Sequence, residues 1–201
     1  LWKRFVQYHT SQTFYEEVFQ ILGEQIRTLH KVRNTSHVGV RFKDSDEVLL
    51  DCQIAINTPV RKRSTVRGAH VDQPDEIYAG LLYFRHHNDT RSKGGNFNVN
   101  KCLRRRCSML PREKRHMFGI GETQYRPTHV RIASQILYRA NTFVMFINSK
   151  HAIHSVTPRT ETRFSRRLVN IIAVRHQGGR GRQTSSNDNS LGEEEEPRLS
   201  N

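Results

Sequence analysis

The chain has 201 residues, a length ordinary for one domain with a single buried core. Its formal net charge of +14 predicts attraction to anionic surfaces and says nothing of fold. No run approaches the roughly 18 apolar residues of a membrane helix, and LWKRFVQYHT lacks the apolar core of a signal peptide, so the composition points to a cytoplasmic protein without a membrane span. Leu1 rather than Met stands first, which leaves the native start and any lost targeting segment open. Cys52, Cys102 and Cys107 are an odd, sparse set that predicts reduced thiols and not a disulfide framework.

In chain order, Thr13 to Leu29 is expected to form an amphipathic helix. Phe14, Val18, Leu22, Ile26 and Leu29 fall on one stripe, and Thr13 with Glu16 has capping-box spacing. From Val38 the texture changes to short branched and aromatic runs, and strands are expected at Val48–Ile56, Ile77–Phe84, Phe97–Val99, Ile136–Tyr138, Thr142–Ile147 and Leu168–Val174. Turn signals at Asn57-Thr58-Pro59, Gly94-Gly95 and Ala140-Asn141 separate them, with no helical pattern between strands. This predicts an antiparallel sandwich or barrel rather than a parallel α/β sheet. Residues 1–176 are expected to form one domain with its helical part at 1–37. Residues 177–201 contain almost nothing apolar and carry four consecutive Glu, so they read as a disordered tail.

His70-Val71-Asp72 is the first motif with chemical content, because residues i and i+2 of an extended segment project to one side and can share a metal. The motif alone is weak: with eleven histidines, one has an Asp two positions on by chance about half the time. His154 adds weight, since it sits in the alternating segment Ala152–Val156 after an apolar strand. Two imidazoles and a carboxylate that leave adjacent positions open suit non-haem Fe(II) and O2 chemistry. His151 lies at an odd offset from His154 and is expected on the opposite face, and His86-His87 is read as a surface pair without a role. Downstream, Arg159, Arg163, Arg166 and Arg167 offer guanidinium forks for a carboxylate.

The ordered set His70-Val-Asp72-Gln-Pro74, Leu81-Leu-Tyr83-Phe, Lys93-Gly94-Gly95-Asn-Phe97, His154-Ser-Val156-Thr-Pro158 and a following Arg resembles the 2-oxoglutarate/Fe(II)-dependent dioxygenases, in particular their prolyl-hydroxylase-like branch, over Val48–Val174. The resemblance implies a double-stranded β-helix, a jelly-roll barrel, behind the N-terminal helix. It implies an oxidoreductase with His70, Asp72 and His154 as iron ligands, 2-oxoglutarate and O2 as cosubstrates, and Tyr83 on the cosubstrate carboxylate. It leaves room for ascorbate. For the arginine clamp, Arg163 has the offset from the distal His found in several relatives, whereas Arg166 has the strand phase of the family's last strand. Arg166 is favoured and Arg163 stays open. The substrate, small molecule or peptidyl, is not legible, because this barrel serves many chemistries.

Lys101 to His116 carries seven Lys or Arg in sixteen residues. Arg104, Arg105 and Arg106 are candidates for binding nucleic acid or another polyanion, although interleaved aromatics for base stacking are lacking. Cys102, Cys107 and His116 have poor spacing for zinc. Two other classes remain: a basic nucleic-acid- or acidic-partner-binding barrel with a structural or vestigial metal, and a hydrolase or isomerase using another divalent ion. Neither needs a carboxylate clamp, so Tyr83 and the arginine weigh against both. Oligomeric state is not encoded in any of these features.

Overall fold

The computed structural model describes residues 1–103, 107 and 123–176, a mainly β protein with two helices and two five-stranded sheets. The expected tail at 177–201, Arg104–Arg106 and His116 lie outside the described residues. Among the described residues no helix is long and apolar enough to cross a membrane.

Helix α1 (Trp2–His9) precedes α2 (Gln12–His30). The cap of α2 differs from the expected Thr13–Glu16 box. Ser11 has extended backbone and its Oγ accepts the Phe14 N–H, so Thr13 already lies inside the helix. The stripe is also turned: Phe14, Tyr15, Val18, Phe19 and Ile26 are buried, whereas Leu29 is 52% exposed. At the other end Lys31 takes the left-handed conformation (φ 60°), and its N–H returns to the Arg27 carbonyl.

The strands are β1 (Val38–Val40), β2 (Val48–Asn57), β3 (His70–Val71), β4 (Glu76–Tyr83), β5 (Phe97–Cys102), β6 (Thr123–Gln124), β7 (Val130–Ile136), β8 (Thr142–Ile147), β9 (His154–Val156) and β10 (Arg166–Arg175). One sheet has the order β1-β2-β10-β4-β8, the other β6-β3-β9-β5-β7. All pairs are antiparallel except β1 with β2. The first sheet carries apolar residues on both faces, most of them covered, whereas Ile54, Ile56 and Phe143 stay exposed. Val169, Ile171 and Ala173 of β10 join Leu50 and Tyr78 against α2, while Leu168, one step out of phase, packs with Tyr83, Phe97 and Tyr138 between the sheets. Among the described residues the two sheets do not close into a barrel.

Three expectations need correction. The strand expected at Ile136–Tyr138 is the far end of β7: its body, Val130–Gln135, is an edge strand too polar to show the apolar signal, and Tyr138 lies beyond it, with its N–H held by Asn96 Oδ1 (2.9 Å). Strand β5 runs past Val99 to Cys102, with a register shift at Val99/Asn100. The cysteines are not all reduced: Cys102 at the end of β5 is bonded to Cys107, Cα atoms 5.5 Å apart, and Cys52 is free. Both thiols being consumed, the Cys102–Cys107 zinc reading falls with them.

Candidate metal centre

Strand β3 is only two residues long, yet it holds the site. His70 pairs directly across from His154 of β9, so both imidazoles leave the sheet on one side, with ring centroids 4.1 Å apart. Asp72, two residues after His70, turns its carboxylate to the same point: Oδ1 lies 3.4 Å from His70 Nε2 and Oδ2 lies 3.6 Å from His154 Nε2. One donor atom from each residue falls within 4.8 Å of the others.

Ring orientation is set from behind. His70 Nδ1 donates to the Gly68 carbonyl (2.8 Å) and His154 Nδ1 to that of Ala152 (3.0 Å). This arrangement leaves each Nε2 as the free nitrogen, as in histidines that ligate metals. Phe97 stacks on His154 at 5.3 Å and Phe146 packs against it at 4.6 Å, so the ring is desolvated. Burial lowers His154 to about 4 despite the neighbouring Asp72 charge, which keeps it in the neutral form that binds metal. At Asp72 burial works upward, but the adjoining His70 and His154 imidazoles and the Arg67 charge outweigh it and hold the carboxyl below its ordinary value. Two free imidazole nitrogens and an ionised carboxylate, converging at a buried point, can hold a metal ion.

Arg166 opens β10 in phase with Leu168 and is buried between the sheets. Its Nε donates to the Gly95 carbonyl (3.0 Å), Nη1 to Asn57 Oδ1 (3.1 Å) and Nη2 to Tyr83 Oη (3.2 Å). Because Tyr83 Oη accepts from the guanidinium, its own proton is available to another acceptor. Arg163 is exposed, with its guanidinium over the Phe164 ring. Gly94 and Gly95 have φ of +85° and +76°, and a Cβ at Gly94 would collide with the Pro158 carbonyl. The Gly-Gly turn thus lets β5 approach the segment after β9.

His151 is exposed in the turn before β9, and His86 stacks on His87 and Phe164; none of these joins the triad. Arg159, one of the four arginines that the sequence offers as a fork, has an internal carboxylate partner. It is buried, meets Asp89 at 3.3 Å, and leaves Nε and Nη1 without a hydrogen-bond partner among the described residues. Asp89 sits 70 positions away in a polar loop, so no local pattern marks the pair. Comparison with protein-family models, curated proteins and solved structures finds no match to this chain.

Proposed function

We propose that the chain is a 2-oxoglutarate- and Fe(II)-dependent dioxygenase that hydroxylates an organic substrate. The observation that carries the reading is the convergence of His70, Asp72 and His154 with both Nε2 atoms free. The strand order supports reading the two sheets as the halves of a double-stranded β-helix. When bound, ferrous ion with 2-oxoglutarate and O2 supplies the oxidising chemistry, with succinate and CO2 as by-products. The chain's own residues bind and orient. His70, Asp72 and His154 would hold the ion, Arg166 offers a charge-assisted donor, Tyr83 offers a hydroxyl proton, and Phe97 and Phe146 exclude water around His154.

Anaerobic addition of Fe(II) and then 2-oxoglutarate is expected to produce the weak visible charge-transfer band of a bidentate 2-oxo acid complex. Asp72→Ala should lose the band while retaining its circular dichroism spectrum. An absent band in the wild-type protein would sink the reading. The net charge of +14 favours a second one, a barrel that binds nucleic acid or an acidic partner around a structural metal. In that case the protein would bind metal and polyanion but give no 2-oxoglutarate-dependent band.

A further inference from the structure

A cavity of about 400 Å³ opens beside the triad, within the size range of small-molecule sites. Asp72 belongs to both: it is a member of the triad and part of the cavity wall. Val71, Pro74 and the half-exposed Leu29 give the cavity an apolar side. Lys150 and Arg175, both exposed, give it two permanent positive charges. Asp72 is the one carboxylate among its described lining residues, and that group is already engaged with two imidazoles.

The walls are pinned together. Arg175 Nη1 donates to the His30 carbonyl (3.3 Å), which fixes the guanidinium against the end of α2. His30 Nε2 donates to the Asn148 carbonyl (2.8 Å), and Asn148 Nδ2 donates to the carbonyls of Gln73 (2.6 Å) and Glu76 (3.1 Å). The chain of contacts runs from α2 through the end of β8 to the segment that carries Asp72. Asn148 is buried and its Oδ1 has no hydrogen-bond partner among the described residues, so the lining also holds an unused acceptor. These are features of a preformed pocket with convergent polar groups and not of a solvated charge patch.

We infer that this cavity is the substrate site and that it selects an organic anion, a molecule with an apolar body against Leu29, Val71 and Pro74 and a carboxylate or phosphate held by Lys150 and Arg175. The inference rests on the dioxygenase reading in one respect, that a molecule lying against Asp72 is the one acted upon. The anion preference itself follows from the lining.

The test uses the full chain loaded with Mn(II), with excess 2-oxoglutarate present so that Arg166 does not take up the probe. Phenyl phosphate, benzoate and benzyl alcohol are titrated by calorimetry, and proton relaxation of each probe reports its closeness to Mn(II). At least one anion should bind tenfold or more tighter than benzyl alcohol, and its protons should relax faster on the loaded protein. The stronger of the two identifies the phosphate or the carboxylate. Lys150→Glu, and Lys150→Glu with Arg175→Glu, should weaken that anion at least tenfold and leave benzyl alcohol unchanged. Lys150→Glu alone keeps the test sound if loss of the Arg175–His30 contact disturbs folding. Equal binding of all three probes, or anion binding indifferent to Lys150→Glu, would overturn the anion preference while leaving the metal centre intact. If Mn(II) fails to bind, or binds without relaxing a bound anion, the cavity is not the substrate site. The first of these outcomes also removes the dioxygenase reading, and the second does not.

Discussion

Arg166 and Glu76 show how burial converts an ordinary charged residue into a specific device. Three of the guanidinium's donors are engaged, by Gly95, Asn57 and Tyr83, so Arg166 is fixed in place before any anion arrives. Loss of a charge-assisted contact costs on the order of 2–3 kcal/mol, so Arg166→Ala is expected to raise the 2-oxoglutarate concentration needed for the visible band by about 30- to 100-fold. Arg163→Ala, which removes an exposed side chain, should change it little; a reversed ranking would move the role to Arg163. Glu76 lies four residues after Asp72, and burial together with the Asp72 charge pushes it up to about 7 against the pull of Arg41 and Arg67. Between its ordinary value of 4.5 and about 7 the folded protein holds a proton that the unfolded chain has released, so folding weakens as pH rises through that window. Glu76→Gln should therefore stabilise the metal-free protein by on the order of 1–3 kcal/mol at pH 8 and leave it nearly unchanged at pH 4, as read by denaturant unfolding. A gain at pH 4 equal to that at pH 8 would show that Glu76 titrates normally.

At the scale of elements, β5 and β9 are joined by side chains as well as by backbone. Asn98 and Asn100 both donate from Nδ2 to Ser155 Oγ (3.1 and 2.9 Å), and Gln135 and Thr157 donate to Asn98 Oδ1 (2.8 and 2.9 Å). Asn98 is 2% exposed, and Asn98→Ala removes a buried amide that bonds Ser155, Gln135 and Thr157 at once. It should cost about 1–3 kcal/mol by denaturant unfolding and weaken metal binding, because Ser155 is next to His154. An effect below a few tenths of a kcal/mol would mean that water replaces the amide. The polar run Asn96–Asn100 reads from sequence as a short or distorted strand, because its amides look like loop residues until their partners 37 to 59 positions away are known. What was legible had a local period. Helix α2 follows from its stripe, β8 from an apolar run with the same bounds, and β10 from alternation that also puts Arg166 in phase with Leu168. The triad was legible because His70 and Asp72 share a side by spacing alone, whereas the direct pairing of His70 with His154 is a property of the sheet. Strands β3 and β6, two residues each, are too short to carry a pattern, and β7 is an exposed edge. Arg159 with Asp89 and Cys102 with Cys107 are defined only by contacts that the fold creates.

Over the whole molecule the balance of 33 Lys and Arg against 19 Asp and Glu remains after the site has been accounted for. Among the described residues few of these charges belong to the interior: Asp89, Arg159 and Arg166 are buried, and Lys150 and Arg175 border the cavity beside Asp72. The densest group in sequence is Arg104, Arg105 and Arg106, which lie between Cys102 and Cys107. Three adjacent guanidiniums can each neutralise a phosphate, and each contact on duplex DNA contributes about 0.9 to the slope of log affinity against log salt. Replacing all three by Ala should thus weaken binding to a labelled duplex and reduce the magnitude of that slope by up to about 2.7, measured by fluorescence anisotropy across a salt series. Metal affinity and the 2-oxoglutarate band should be unaffected, since the substitution leaves His70, Asp72, His154, Tyr83 and Arg166 in place. If instead the slope persists and the band disappears, these arginines serve the metal centre, and the attraction to polyanions is a diffuse property of the +14 charge with no dedicated surface behind it.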